Sequence, residues 1–259
     1  MRLSAATLAT MLGFAVPGSA AACDAGKRPI SADQLSGTVT VLAAASLRGA
    51  FDQIGAGFEA AHPRTKVALT YAGSDELARR IVSGTPADVF AAASPATMRT
   101  VTDAEDTTDT PETFARNQLV IAVPKGNPKG LHTLADLAQP GVRVAVCAVD
   151  VPCGTATAKV LGAAGVALTP VAREPDVKAT LAQVQHGTAD AALVYRTDAR
   201  AAASDVEGVE FPESAQAVTA YPIAALKDAA NPSGAAAFMA YVLGHRGQQV
   251  LMDAGFLRP

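Results

Sequence analysis

The residues best suited to chemistry in this chain are small hydrogen-bond donors at the starts of predicted helices. They are Ser46, Ser74 and Cys153, which follow stretches typical of strands, and Val177, which follows Glu174, Pro175 and Asp176. The first turn of a helix leaves backbone N–H groups without partners and carries about half a positive charge. Several such starts meeting in one cleft would bind an oxyanion without Lys or Arg. Each serine alone has a simpler interpretation, as the N-cap of its own helix, so only the combination indicates a binding site.

Sequence motifs of enzymes and metal sites are missing. The chain contains no GxSxG, no GxxxxGK[ST] and no HExxH. Its four histidines are scattered and are expected at the surface rather than as ligands or bases; they are His62, His132, His186 and His245. Asp88, in the predicted strand DVFAAA, is the best single acidic candidate, although a structural hydrogen bond at the end of a sheet explains it more simply. We therefore predict no catalytic residue, no metal site and no cofactor.

Composition narrows the class of protein. Of the 259 residues 49% are hydrophobic and 17% are charged, and the formal charge is −3. A chain this apolar is expected to fold around a substantial core rather than remain disordered. A slightly negative charge gives no basic footprint for nucleic acid, so no nucleic-acid partner is expected.

The first 22 residues resemble a secretory signal peptide. Residues 1–22 contain one Arg, an apolar middle and a small-residue end. No later stretch approaches the length of a membrane span, so we predict an exported protein without a membrane-spanning helix. Cys23 follows three alanines, as in a bacterial lipobox, and its lipidation would anchor the protein to the outer face of the cytoplasmic membrane. Ordinary cleavage, leaving Cys23 unmodified, is the alternative. Residues 23–36 are predicted to form a polar tether.

The two remaining cysteines lie close together. Cys147 and Cys153 stand in VCAVDVPCG, which is not a CxxC, and no histidine is near enough to suggest a metal site. In an exported protein two neighbouring cysteines are expected to form a disulfide. Two free thiols are the alternative.

Alternating strand and helix patterns along the rest of the chain predict an α/β fold. Mostly parallel sheets with helices on both faces follow from that alternation. The length fits two lobes better than one sheet. We place the first lobe at residues 37–117 plus 218–259 and the second at residues 118–217.

Six segments, in the same order, resemble the ModA family of periplasmic molybdate-binding proteins of ABC importers. They are LAAASL (42–47), YAGSDELARRI (71–81), PADVF (86–90), VPCGTATAKVL (151–161), DVKATLAQVQHGTADAALVYRTDA (176–199) and RGQQVLMDAGF (246–256). Together they extend over most of residues 38–256.

The resemblance implies a two-lobed periplasmic binding protein with its ligand cleft at the hinge. It implies that Ser46 and Ser74 each offer a hydroxyl and a backbone N–H, and that Cys153 and Val177 each offer a backbone N–H. Tyr195 would donate its phenol hydroxyl from the second lobe. The protein would capture molybdate or tungstate as a monomer and deliver it to a membrane permease.

Two other functions stay open at this point. The same scaffold could bind another anion, such as sulfate, phosphate or an organic anion. Asp75, beside Ser74, is the one nearby acid that could accept a proton from phosphate. An exported serine hydrolase would need a base beside Ser46 or Ser74, and no histidine lies in a segment expected to reach the cleft. Arg48 departs from the family pattern and either faces solvent or attracts anions at long range.

Overall fold

The computed structural model describes residues 35–259. The predicted signal peptide (1–22), the lipidation site at Cys23 and nearly all of the predicted tether (23–36) lie outside the described residues. Within the described range no helix combines the length and the apolar character that crossing a membrane requires.

Strands and helices alternate through the described range, which confirms the predicted α/β class. The strands are β1 (Gly37–Ala44), β2 (Thr65–Ala72), β3 (Val89–Ala91), β4 (Glu112–Asn117), β5 (Leu119–Pro124), β6 (Val144–Cys147), β7 (Ala172–Glu174), β8 (Ala191–Tyr195), β9 (Val206–Val209) and β10 (Thr219–Ala225). The helices are α1 (Arg48–Ala61), α2 (Ser74–Val82), α3 (Pro95–Asp103), α4 (Pro152–Ala164), α5 (Val177–Gln185), α6 (Arg196–Ala201), α7 (Pro232–Leu243) and α8 (His245–Asp253). Short 3-10 turns lie at Ala45–Leu47, Asp136–Ala138 and Pro212–Ala217.

The strands form two five-stranded sheets, each of them mixed rather than mostly parallel as predicted. The first has the order β2-β1-β3-β10-β4 and the second the order β7-β6-β8-β5-β9. In the first sheet β1 pairs parallel with β2 and β3, whereas β10 runs antiparallel to β3 and β4. In the second, β6 is parallel to β7 and β8, whereas β5 is antiparallel to β8 and β9.

In each sheet, the antiparallel strand is the one at which the chain arrives from the other sheet. β5 begins two residues after β4 ends, and β10 is the return from the second sheet to the first. A parallel neighbour requires a crossover connection within one sheet, and these two strands arrive without one. An apolar strand has the same sequence pattern whether it runs parallel or antiparallel to its neighbours, so the sequence did not predict the direction of these two strands.

The first sheet is covered on both faces because successive side chains of its strands point to opposite faces. Val39 and Val41 of β1 pack into the core that includes Phe51, whereas Leu42 packs with Leu77 on the opposite face. Successive side chains of a strand point to opposite faces, so one strand serves both layers. Helices α1, α7 and α8 therefore lie on one face, and α2 and α3 on the other.

Parallel strands bring several helix starts to the same edge of each sheet. β1 and β2 lead into α1 and α2, and β6, β7 and β8 lead into α4, α5 and α6. Ligands of open α/β sheets bind beyond the carboxyl ends of such strands. The fold therefore places the predicted donors where a binding cleft is expected.

The lobe boundaries at residues 117–118 and 217–218 stay a prediction. In their support, all strands of the first sheet fall within 37–117 plus 218–259, and all strands of the second within 118–217.

Candidate oxyanion-binding site

One small cavity brings together all five residues predicted to bind the ligand. Its walls come from the carboxyl ends of both sheets and the helix starts that follow them. The lining residues are Ala44, Ala45, Ser46, Gly73, Ser74, Ala93, Val151, Pro152, Cys153, Pro175, Asp176, Val177 and Tyr195. The cavity measures about 20 Å³, far below the roughly 300–1,000 Å³ typical of pockets for organic ligands. It suits a small, compact ligand.

The hydroxyls of Ser46 and Ser74 do not cap their own helices. Ser74 is the first residue of α2, and Gly73 occupies the N-cap. Ser74 Oγ accepts a hydrogen bond from the backbone N–H of Ala93 at 2.9 Å. Ser46 lies in the turn before α1, and its Oγ is 2.9 Å from Tyr221 Oη. The simple capping interpretation of these serines is therefore wrong.

Backbone N–H groups of three helices border the cavity. Ser74 and Val177 are the first residues of α2 and α5, and Cys153 is the second residue of α4. Such positions have no acceptor within the helix, and no partner of their N–H groups is found in the described part of the chain. At α5 the carboxylate of Asp176 caps the next two N–H groups. That cap leaves the N–H of Val177 free for a ligand.

Tyr195 places a buried phenol on the second-sheet side of the cavity. Its side chain is 1% exposed, and among the described residues its Oη has no hydrogen-bond partner. Burial raises the pKa of Tyr195 above its usual value, so the hydroxyl remains a donor at neutral pH. A buried hydroxyl without a partner costs free energy, and an anion in the cavity would remove that cost.

The cavity has partial positive charge without a cationic side chain. No Lys or Arg is among its lining residues within residues 35–259. Arg48 is exposed, and its guanidinium lies 4.5 Å from the centre of the Tyr71 ring, so it does not line the cavity. Helix starts supply the positive potential.

The acid beside the cavity is Asp176 rather than Asp75. Asp75 forms an ion pair with Arg79 at 2.9 Å and does not line the cavity. Asp176 does line it, but its Oδ1 accepts from the N–H groups of Lys178 and Ala179 at 2.7 and 2.9 Å. The carboxylate thus serves the helix start.

Cys147 and Cys153 form a disulfide, which confirms the predicted pair. The bond joins the end of β6 to the first turn of α4, with 5.8 Å between the two Cα atoms. Both residues are buried. Since Cys153 also lines the cavity, the disulfide holds one of the candidate donor loops in place.

Asp88 has the structural role that the simpler interpretation gave it. Its carboxylate accepts from the N–H of Thr40 at 2.6 Å and from the N–H of Asn231 at 2.7 Å. These bonds tie β1 and the start of α7 to β3, and Asp88 does not line the cavity.

The sequence did not predict three groups that lie behind or beside the binding residues. Tyr221 and the N–H of Ala93 contact the two serine hydroxyls. Lys178, in the first turn of α5, pairs at 2.9 Å with the fully buried Asp198 of α6. Burial raises the pKa of Asp198 and Lys178 opposes that shift. A tyrosine in a β pattern or a backbone N–H carries no sequence signal for such roles.

Comparison with known proteins decides the family. The family model described as bacterial extracellular solute-binding protein matches residues 39–257. The molybdate-binding protein ModA of Mycobacterium tuberculosis is 43% identical over 231 residues, which cover 89% of this chain and 88% of the relative.

This chain belongs to the ModA family of bacterial extracellular solute-binding proteins.

Other members of the ModA family match over similar lengths. ModA of Escherichia coli is 31% identical over 255 residues, covering 95% of this chain and 94% of that protein. The solved periplasmic molybdate-binding protein of Azotobacter vinelandii shares the fold, with a TM-score of 0.73 at 20% identity, covering 85% of this chain and 99% of that one. The architecture is therefore the two-lobed α/β fold of periplasmic binding proteins. Membership of the ModA family makes the chain an exported solute-binding protein and not an enzyme.

Proposed function

We propose that this protein captures molybdate, and also tungstate, outside the cytoplasm and delivers it to the membrane permease of an ABC importer. The observation that carries the proposal is the hydroxyl of Tyr195, buried without a partner at a cavity that is otherwise bordered by helix starts. Relatives named for molybdate binding supply the choice of anion.

The donor set suits a tetrahedral dianion. Such an anion carries no proton at neutral pH, so its four oxygens only accept hydrogen bonds. The cavity offers the hydroxyls of Ser46, Ser74 and Tyr195 together with the N–H groups of Ser74, Cys153 and Val177. A hydrogen bond to a charged group contributes about 1.5–3 kcal/mol. Six such donors can therefore bind a dianion tightly without a cationic side chain.

The hydrolase alternative lacks a base. No histidine is among the described residues that line the cavity. Ser74 Oγ accepts from a backbone N–H and Ser46 Oγ faces a tyrosine hydroxyl. Neither arrangement removes a proton from serine, which activation of the nucleophile requires.

A ligand panel tests the proposal. Thermal unfolding and calorimetric titration of the purified protein would be measured with molybdate, tungstate, sulfate, phosphate and chromate at neutral pH. At 1,000 times its Kd a ligand stabilises the folded protein by about 4 kcal/mol, which raises Tm by several degrees for a chain of this size. We expect large shifts with molybdate and tungstate alone. A shift confined to sulfate or phosphate would assign a different oxyanion to the same scaffold, and no shift would reject the proposal.

We further propose that the exported protein is a monomer anchored by lipid at Cys23. The lipobox-like AlaAlaAla-Cys segment supports the anchor. Replacing Cys23 by Ala should release the protein from the membrane fraction and abolish fatty-acid labelling. Release of the unchanged protein in soluble form would show ordinary cleavage.

A further inference from the structure

The hydroxyl of Tyr221 lies directly behind one of the binding serines. Tyr221 is on β10 of the first sheet, is fully buried and does not line the cavity. Its Oη is 2.9 Å from Ser46 Oγ. The ring packs edge-on against Tyr195, Phe114 and Phe256, with centroids 5.4 to 6.3 Å apart. This packing fixes the direction of the hydroxyl.

The burial of the two hydroxyls favours Tyr221 as the donor. Tyr221 Oη forms its hydrogen bond with Ser46 Oγ, and the side chain of Asn117 also lies beside it. The Asn117 amide already donates to Thr197 and its oxygen already accepts from the N–H of Gln118. If Ser46 donated to Tyr221, the phenol proton would be buried without an acceptor, at the cost of an unmade hydrogen bond. If Tyr221 donates, the proton of Ser46 is free to reach the cavity. Burial raises the pKa of Tyr221, so its proton is present at neutral pH.

Ser74 is arranged in the same way by a different group. Its Oγ accepts from the backbone N–H of Ala93, which can only donate. One lone pair of Ser74 is thereby occupied, and its proton is left for the cavity. Both serines then have their protons available for the ligand.

We propose that Tyr221 is a specificity-determining residue, which holds Ser46 as a donor so that the site rejects oxyanions carrying a proton. The inference rests on the proposed function. Phosphate at neutral pH keeps at least one O–H, which needs an acceptor, whereas molybdate and sulfate carry none. A donor facing a donor leaves both unpaired.

The matched variants are Tyr221→Phe and Tyr241→Phe. The first removes the hydroxyl behind Ser46 and keeps the packed ring. The second removes a hydroxyl from α7, where Tyr241 packs against Phe58 away from the cavity. Affinities for molybdate, sulfate and inorganic phosphate would be measured by calorimetry at neutral pH, and thermal unfolding would confirm that each variant is folded.

In Tyr221→Phe we expect the molybdate-to-phosphate affinity ratio to fall about 10-fold or more, because Ser46 Oγ can then turn and accept. The molybdate-to-sulfate affinity ratio should stay within about 2-fold, because sulfate, like molybdate, has no proton to donate. A 2-fold change corresponds to only a few tenths of a kcal/mol of binding free energy. Tyr241→Phe should change neither ratio. Equal increases in the affinities for sulfate and phosphate, relative to molybdate, would show a general loosening of the site and overturn the inference.

Ser46→Ala provides a second, independent test. It removes the atom that could accept, so molybdate binding weakens but discrimination against phosphate persists. In the Ser46→Ala background Tyr221→Phe should have no further effect on the ratio. Loss of discrimination in Ser46→Ala alone, or tight phosphate binding by the unchanged protein through Asp176, would overturn the inference. Failure of the unchanged protein to bind molybdate would instead reject the proposed function, before any variant is compared.

Discussion

The Cα of Gly73 faces the carbonyl oxygen of Pro175 so closely that a Cβ at Gly73 would lie 2.8 Å from that oxygen. Gly73 precedes α2 of the first sheet and Pro175 precedes α5 of the second, and both line the cavity. The contact therefore joins the two walls of the site, and it requires a residue without a side chain.

Gly73→Ala should weaken molybdate binding about 10-fold or more, because the methyl group holds the walls apart and separates the donors of α2 from those of α5. About 1.4 kcal/mol of lost binding free energy corresponds to that factor. Calorimetric titration measures the effect. Gly162→Ala is the control, since a Cβ at Gly162 of α4 meets no atom within 4 Å. Equal affinities of the two variants would show that closure tolerates the methyl group.

Tyr195→Phe should weaken molybdate binding by about 1.5–3 kcal/mol, roughly 10- to 150-fold in Kd. The variant removes the one donor that comes from a side chain of the second sheet. The unliganded protein should keep or slightly raise its Tm, because the hydroxyl that is lost was buried without a partner. Unchanged affinity would remove Tyr195 from the binding site.

Replacing both Cys147 and Cys153 by Ala should lower the stability of the protein by about 2 kcal/mol, the effect expected of a short disulfide loop. Tm would fall by about 4–8 °C for a chain of this length. Molybdate affinity should also fall, since the loop carrying the Cys153 N–H loses its tie to β6. Reducing the unchanged protein with a dithiol should produce the same fall in Tm and leave that of the double variant unaltered. A reduced protein with its original Tm would contradict the prediction.

Acid should destabilise the protein partly through Asp190. A hydrogen bond from the Arg143 guanidinium, at 2.8 Å, holds the pKa of Asp190 well below its usual range, and Lys129 lies 3.1 Å away on the other oxygen. Because the folded pKa lies below the unfolded one, about 3.9, this contribution is present above about pH 4 and is lost as the pH falls further.

Asp190→Asn should lower Tm at pH 7 by about 1–3 °C, as expected for a partly exposed ion-pair cluster. It should also make Tm less sensitive to pH below about pH 4. The measurement is a series of thermal unfolding curves from pH 7 to pH 2. Asp109→Asn, at an exposed carboxylate without an ion pair in the described structure, is the control and should follow the unchanged protein. Parallel plots of Tm against pH for all three proteins would exclude Asp190 as a cause of the acid destabilisation.

The sequence predicted the buried strands and the edge strand β2, whose residues 66–71 alternate, and missed the three other edge strands. β5 and β8 were recognisable because LVIAVP and AALVY are continuous apolar runs. β4, β7 and β9 were missed because their sequences, ETFARN, ARE and VEGV, mix charged residues into short strands at or near an edge. An edge strand is half exposed and paired through its backbone, so its side chains carry little signal.

The candidate site was predictable where it depends on residue type and order. The two serines, Cys153, Val177 and Tyr195 stand in segments that resemble one family, and helix starts explain why they can act together. The supporting contacts were not predictable, because Ala93 acts through its backbone N–H and Gly73 acts by having no side chain. Tyr221 lies 175 positions from Ser46 along the chain, and nothing local to either residue links them.

The position of β10 also dictates the order in which the protein can be completed. β10 lies between β3 and β4 and pairs with both, yet it follows every strand of the second sheet in the chain. While the chain emerges from its amino end, the second sheet can assemble from one continuous stretch, whereas β3 and β4 keep unpaired edges. The first sheet closes only when residues 219–225 arrive, and α7 and α8 then cover its remaining face. The half of the molecule that starts first is therefore the half that finishes last.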